Sequence, residues 1–320
     1  MSGTLRSIDD LPSKMHFALA IGVFDGAHRG HERVINALLV TARRHRAEPV
    51  ALTFDPHPSE VVRGEAPPLL CDPEERIALL HRLGVKTVVM QHFDRAFADQ
   101  SADDFLKRIR RDRDLAAVVM TPESAFGHDR AGTIASIRRL APELGFELVE
   151  VGQLASQGRT VSSSRVRAAL AAGRLAEVRR LLGRPYAVTG TVVRGDRRGR
   201  TLGYPTANLS FGAPVALPPD GIYAVRAAWG GRGLLDPKHR ADGVASLGVR
   251  PTFGTGGARI LEVHLFDVAE NLYGKKLRVE LVRRLRGEKR FASVTALVRQ
   301  MDRDSARARE VLRAAQRDRR

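Results

Sequence analysis

Hydrophobic and polar positions follow two different rhythms along the chain. In the first half, short apolar runs alternate with segments whose apolar residues recur every three or four positions. FALAIGVF (17–24) reads as a buried strand, and HERVINALLVTARRH (31–45) follows it with Val34, Ile35, Leu38, Leu39 and Ala42 on one helical face. PVALTF (49–54), TVVMQ (87–91), AAVVMT (116–121) and FELVEV (146–151) repeat the strand pattern. PEERIALLHRLG (73–84) reads as a helix stopped by Gly84, and SADDFLKRIRRDRD (101–114) as one begun by a serine cap and an acidic first turn. A further helix falls near 133–141. Strands and helices alternating over short links predict an α/β fold, a parallel sheet with helices on both faces. Ligands of such sheets bind beyond the carboxyl ends of the strands.

The rhythm changes near LLGRPYAVTG, after a predicted helix over 165–182. From Tyr186 onward the runs are β-rich with glycine-rich joints: YAVTGTVVRG, GIYAVRAAW, GVASLGV, RILEVHLFD and KLRVELVRRL. Nothing of helix length intervenes until about Ser293, which predicts a compact antiparallel barrel or sandwich. In the closing segment Val294, Leu297, Val298 and Met301 recur at helical spacing, so a terminal helix is expected to pack on the β unit. The change of class near Arg184 divides the chain into an α/β domain, 1–184, and an antiparallel β domain, 185–320.

Composition narrows the setting. At 320 residues the chain suits two domains, and with 43% hydrophobic but 5% aromatic residues its cores should be built from Leu, Val, Ile and Ala. The one cysteine, Cys71, forms no intrachain disulfide, which fits a reducing compartment. The first residues carry no secretory signature, and no apolar stretch approaches the roughly 20 residues of a membrane span. A cytoplasmic protein with no membrane partner is expected. The net charge of +17 would attract nucleic acid, anionic membrane or phosphorylated small molecules. Its arginine pairs, in TARRHR, RIRRDR and SIRRLA, lie on predicted helices and read as a solvated surface. No aromatics are interleaved with them as a single-strand binder would need, so no specific nucleic-acid partner is expected.

The chemistry begins at GVFDGAHRGH (22–31), where a strand meets a helix in a turn holding Gly22, Phe24, Asp25, Gly26, His28 and His31. Gly26 and Gly30 let backbone approach a ligand, and a helix N-terminus offers free amide protons and partial positive charge. Two imidazoles there suit phosphate oxygens. Zinc would need further ligands at suitable spacing, and the remaining histidines are scattered with no cysteine pair. Neither GxGxxG nor a Walker A sequence occurs. VSSSRVRAAL (161–170) places Ser163, Ser164 and Arg167 at a helix start; these form either a redundant N-cap or a second phosphate grip.

In the second half, GDRRGRTLGYPTANL (195–209) spaces Gly195, Gly199 and Gly203 four apart around Arg200, then supplies Pro205, Thr206 and Asn208. The stretch reads as a flexible hairpin, or as backbone donors for phosphate with neutral oxygens for a hard cation such as magnesium. Along RILEVHLFD, Leu261, Val263 and Leu265 face one way while Glu262 and His264 face the other. Glu262 is then either a solvated outer residue or, if that face lines a cleft, a base able to take a hydroxyl proton.

Taken together, these motifs carry a family resemblance. GxFDGxHxGH after the first strand and SSSRVR after the last resemble the HxGH nucleotidyltransferases, which implies a Rossmann-like N-terminal domain. TFDPHP (53–58) and FDRAFADQSADDF (93–105) resemble the FMN adenylyltransferase branch. The resemblance implies that His28 and His31 hold ATP phosphates and stabilise the departing pyrophosphate, with Ser163, Ser164 and Arg167 closing on them. It implies a flavin site near Pro56, His57, Pro58, Glu123 and Phe126. GRxLGxPTAN, GIYAV, GVASLGVRPTFG, LEVHLFD and LYGKKLRVELVRRLR resemble the riboflavin kinase domain. There Thr206 and Asn208 would bind Mg-ATP, and Glu262 would activate the ribityl 5′-hydroxyl for in-line transfer. WGGRGLLDPKHRAD (229–242) looks like a lengthened hairpin. In this order the two halves resemble the prokaryotic bifunctional FAD synthetases. Riboflavin and ATP would give FMN and ADP; FMN and ATP would give FAD and pyrophosphate, with Mg2+ as cofactor.

One segment departs from that pattern. TPESAFGHDRAG (121–132) keeps Phe126, Gly127, Arg130 and Gly132 of a GxDFRFGxxRxG pattern but has Glu123 and Ser124 where an aspartate and an aromatic are expected. The departure supports a second reading, a riboflavin kinase with a weakened or vestigial adenylyltransferase domain. The charge alone supports a third, a basic RNA-binding protein.

Overall fold

A computed structural model describes residues 3–195, 199, 202–231, 233–249 and 259–317. Arg200 and the RPTFG segment at 250–254 lie outside the described residues. The chain forms two compact units, residues 3–69 with 73–163 and residues 70–72 with 164–317.

The first unit runs β1 (Gly3–Leu5), β2 (His16–Ile21), α1 (Arg29–His45), β3 (Glu48–Asp55), α2 (Pro58–Arg63), α3 (Pro73–Arg82), β4 (Thr87–His92), α4 (Arg95–Ala98), α5 (Ala102–Arg110), β5 (Asp114–Met120), α6 (Ile134–Leu144) and β6 (Glu147–Glu150), then a small hairpin, β7 (Ala155–Ser156) and β8 (Arg159–Thr160). The large sheet has the order β1-β4-β3-β2-β5-β6 with every pair parallel. Both faces are covered, as the unbroken apolar runs of its strands require. Phe17 and Leu19 of β2 join Phe105, Leu106 and Ile109 of α5 and Ile137 of α6 in one core. Ala18 and Ala20 point the other way and pack with Val34, Ile35 and Leu38 of α1 and Leu80 of α3. The alternation along one strand thus feeds two helical layers.

After the boundary at 163 come α7 (Ser163–Ala171) and α8 (Leu175–Leu182). The single helix expected over 165–182 is therefore two, because Gly173 takes a left-handed φ of 70° that ends the first. Strands β9 (Ala187–Val193), β10 (Ala207–Ser210), β11 (Gly221–Trp229), β12 (His239–Val249), β13 (Arg259–Leu265) and β14 (Lys276–Arg286) close a barrel in the order β10-β13-β12-β11-β14-β9. All its described pairings are antiparallel. Of barrel and sandwich, the structure is the barrel. The insertion at 229–242 is a hairpin: Trp229 pairs with His239 across it and their rings stack at 5.5 Å.

Helix α9 (Val294–Arg317) packs on the barrel, but not along the expected face. Ala308 and Leu312 join Ala224, Phe266 and Leu285 in its core contact, whereas Val294 is 61% exposed. Arg286 of β14 and Asp304 fasten the helix to the wall through Nη2–Oδ2 at 2.7 Å and Nε bonds to both carboxylate oxygens at 3.1 and 3.0 Å. Gln300 Nε2 donates to the same carboxylate at 2.9 Å.

Candidate functional site

Each unit holds a candidate site. In the first, β2 stops at Ile21, three residues before the expected end, because the chain must turn. Phe24, Gly26 and Ala27 have φ of 50°, 74° and 37°. Two of these are side-chain-bearing residues in the left-handed region, a conformation that persists only where surroundings enforce it. His28 is the N-cap of α1, and its Nδ1 accepts from the backbone N–H of His31 at 3.2 Å. The two imidazoles stack at 3.6 Å with planes 16° apart, and Phe24 meets the His31 ring edge-on at 5.3 Å. The histidines therefore form one fixed pair, with one ring nitrogen of His28 committed to capping. A side chain at Gly30 would stand 3.0 Å from both His28 Cε1 and the Val161 carbonyl, so glycine there lets the stack exist. Asp25 is buried at 2% exposure, and its carbonyl accepts from Ser163 Oγ at 3.1 Å. That contact brings one of the predicted serines to the turn.

Ser164 and Arg167 lie on α7, in the second unit. The arginine between them is structural: Arg165 is buried and pairs with Glu177 at 3.2 Å, which also accepts from Arg174 at 2.8 Å. The Arg174 bond first, helped by that of Arg165 and opposed by burial, holds the Glu177 carboxyl below its ordinary range.

Beyond the carboxyl ends of β2 and β3 opens a cavity of about 360 Å³, lined by Gly22, Pro58, Glu123 and Phe126 among the predicted residues. Pro56 and His57 do not line it. Pro56 follows a cis bond from Asp55, and His57 caps α2, its Nδ1 accepting from the Ser59 N–H at 3.1 Å. The cavity wall that the sequence motifs did not single out is aromatic. Phe54 meets Phe93 at 5.3 Å, Phe97 meets Phe105 at 5.9 Å, and Phe105 meets Phe126 at 5.9 Å. Rings in edge contact build an apolar wall against which a planar ligand can pack. The signal lay in FDRAFADQSADDF, whose three phenylalanines all line this space.

The unusual 121–132 segment is well built. The Ser124 hydroxyl accepts from the Thr121 N–H at 3.0 Å and lies 2.9 Å from the Thr121 hydroxyl, closing a turn. Arg130 donates to the Glu123 carbonyl at 3.1 Å. Gly127 and Gly132 pass so close to Ala102 that a side chain at either would clash, at 2.5 and 2.6 Å.

In the second unit the barrel register sets the site. Asn208 of β10 pairs directly with Glu262 of β13, which pairs with Ser246 of β12. Directly opposed residues share a face, so three polar side chains stand in a row across three strands. Glu262 and His264 do face away from buried Leu261, Val263 and Leu265. Their face lines a cavity of about 450 Å³ with Gly199, Tyr204, Thr206, Asn208 and Asp304. Leu297 and Met301 of α9 line it too, which explains why the apolar start of that helix is not on the core.

The glycines here serve packing. A side chain at Gly195 would lie 2.5 Å from the Asn208 amide nitrogen, and one at Gly199 would lie 2.3 Å from the Tyr204 carbonyl. Gly203 has a φ of 83°. Two further residues hold the PTAN segment. His264 Nδ1 lies 2.9 Å from the Pro205 carbonyl, and the Tyr204 hydroxyl donates to Asp302 of α9. Burial first, and Asp302 second, push the Tyr204 phenol up to about 12. Thr206, Asn208 and Glu262 offer oxygen donors alone, a set that suits a hard cation shared with phosphate oxygens. Among the described residues, no group of three or more His, Cys, Asp or Glu could hold a metal by itself.

A family model described as FAD synthetase matches residues 11–165, and one described as riboflavin kinase matches residues 182–312. The chain is similar to the bifunctional riboflavin kinase/FMN adenylyltransferase of Escherichia coli strain K12, at 37% identity over 91% of both chains. It is similar to the Bacillus subtilis protein of the same description at 32% identity, over 91% of this chain and 90% of that one. A crystal structure described as a macrolide-efflux protein from Streptococcus pneumoniae shares the fold, with a TM-score of 0.80 and 28% identity over 94% of this chain and 96% of that one. No helix among the described residues is long and apolar enough to cross a membrane. With the match extending over nine-tenths of its length, the chain belongs to the family of bifunctional riboflavin kinase/FMN adenylyltransferases.

Proposed function

We propose that residues 185–320 phosphorylate riboflavin to FMN and residues 1–184 adenylylate FMN to FAD, in a cytoplasmic setting with no specific nucleic-acid partner. The observation that carries this reading is that Thr206, Asn208 and Glu262 line one cavity of the barrel unit, while His28 and His31 stack at the turn that opens α1 in the other. In the kinase, Glu262 takes the proton of the ribityl 5′-hydroxyl, whose oxygen attacks the γ-phosphorus of ATP as ADP leaves. Asn208, opposite Glu262, and Thr206 hold the phosphates together with Mg2+, which when bound neutralises their charge. Gly195, Gly199, Gly203 and Pro205 shape the segment that brings them there.

In the adenylyltransferase, a phosphate oxygen of FMN attacks the α-phosphorus of ATP, and the bond to pyrophosphate breaks. The stacked His28 and His31 and the amides of the 22–31 turn stabilise the charge gathering on the leaving group. Ser163, whose hydroxyl meets the Asp25 carbonyl of that turn, adds an oxygen to the same site. The phenylalanine-walled cavity takes the isoalloxazine. Catalysis is by positioning and charge neutralisation, without a covalent enzyme intermediate. Ser124 closes its own turn, so its departure from the family pattern gives no ground for a vestigial first domain.

Incubating the protein with riboflavin, ATP and Mg2+ and separating the products tests the whole reading. FMN, FAD, ADP and pyrophosphate are expected. FMN and ADP alone would return the reading to a kinase with a silent first domain.

A further inference from the structure

Behind the 22–31 turn lies a charged residue that no motif contains. Arg76 of α3 is 2% exposed. The two N–H groups of its Nη1 are shared among the carbonyls of Val23 at 2.8 Å and Phe54 at 3.0 Å and Thr53 Oγ1 at 3.1 Å. The Thr53 hydroxyl donates in turn to Val23 at 2.8 Å. One nitrogen thus joins the ends of two neighbouring parallel segments, just before each enters a loop. Val23 precedes Phe24, the first left-handed residue of the histidine turn, and Phe54 precedes Asp55 and the PHP segment.

Stability alone gives no reason for a guanidinium here. Removing a guanidinium from water is costly, and an apolar side chain of similar volume is often as good or better. Its partners among the described residues are two carbonyls and a hydroxyl, with no carboxylate, and its Nε has no hydrogen-bond partner. What the group does achieve is geometric. A left-handed Phe24 and Ala27 hold only where their surroundings over-determine them. Arg76 fixes the carbonyl from which that turn departs.

We propose that Arg76 is a positioning residue for adenylyl transfer, holding the histidine turn and the start of the PHP segment in one fixed relation. The proposal rests on the reading of that turn as the nucleotide site. Without the three bonds, the Val23 and Phe54 carbonyls lose a buried donor and the turn drifts. A displacement on the order of 1 Å costs roughly 100-fold in rate where catalysis is by placement.

The test uses the full chain, with FAD formation from FMN and ATP as the readout and riboflavin phosphorylation as an internal control. Arg76→Met should lower kcat for FAD by about 10- to 100-fold, with a smaller change in the KM for ATP and kinase turnover unchanged. Arg76→Lys should recover most of the loss, because an ammonium offers three donors near the place of Nη1. Thr53→Val, which removes only part of the network, should lower kcat in the same direction by less; it serves as the decisive variant if Arg76→Met melts below the assay temperature. A folded Arg76→Met with unchanged kcat overturns the proposal. So does an Arg76→Lys as damaged as Arg76→Met, or a Thr53→Val with unaltered kcat when Arg76→Met does not fold. His31→Ala separates the two readings: FAD synthesis surviving in it would refute the nucleotide turn itself, whereas its loss beside an active Arg76→Met would refute Arg76 alone.

Discussion

The two candidate sites are built by opposite structural means. In the first unit the candidate groups stand where strands end: β2 gives way to a turn with φ of 50°, 74° and 37°, and the helix after it is capped by a histidine. Backbone amides and a helix terminus supply much of the polarity, so the site depends on a loop being held still. In the second unit Asn208, Glu262 and Ser246 stand in the middle of paired strands, placed by register rather than by a turn. Geometry that comes from a closed hydrogen-bonded wall needs little local strain. The lesson is that a cluster of polar groups can be fixed by bending one chain sharply or by aligning three strands. The two constructions should fail differently when altered.

The largest effect is expected at the barrel row. Glu262→Ala should lower FMN formation by about 10²- to 10⁴-fold, the usual worth of a positioned base, while FMN adenylylation by the same protein is unchanged. Product separation from riboflavin and from FMN checks both halves of the statement. Next, His31→Ala should lower FAD formation by roughly 10²- to 10³-fold, as loss of a transition-state charge stabiliser does, and leave riboflavin phosphorylation intact. If either variant loses both activities while folded, the sites are not built independently.

A stability measurement sharpens the contrast. Asp304 is buried and receives the bidentate Arg286 along with Gln300. Asp304→Ala leaves that arginine without its carboxylate and should destabilise the barrel by about 3–5 kcal/mol, read by denaturant unfolding. The smallest effect is at Tyr204. Tyr204→Phe removes one hydroxyl bond and should change stability by about 1 kcal/mol or less. Its signature is in pH. The Tyr204 phenol is raised to about 12 in the folded chain, so its contribution is fully present below the unfolded value near 10 and is lost as pH rises toward 12. Unfolding measured from pH 9 to 12 should show a larger loss in the native sequence than in Tyr204→Phe, where the buried Tyr223, also raised, still contributes.

Much of this was legible in the sequence because it is periodic. The alternation of apolar runs with helix-period segments is enough to read the parallel sheet, since a strand covered on both faces cannot afford polar positions. Glu262 and His264 were legible for the same kind of reason: a period of two assigns faces. What periodicity missed has a physical cause in each case. Gly173 splits 165–182 into two helices through its backbone, which no apolar count registers. Val294, Leu297 and Met301 look like a core stripe, yet two of them line a cavity, and cavity walls are as apolar as cores. SSSRVR shows two arginines alike, but Arg165 is taken by Glu177, twelve residues away. Arg76 reads as one more charge in PEERIALLHRLG, and only tertiary packing buries it.

The central claim, two independent sites in one chain, is tested most directly by mixing. Glu262→Ala given riboflavin, ATP and Mg2+ should make no FMN, and His31→Ala should stop at FMN. Combined in one tube, the two variants should make FAD from riboflavin, the first protein adenylylating what the second phosphorylates. A mixture that yields FMN but no FAD, from variants shown to be folded, would contradict the account.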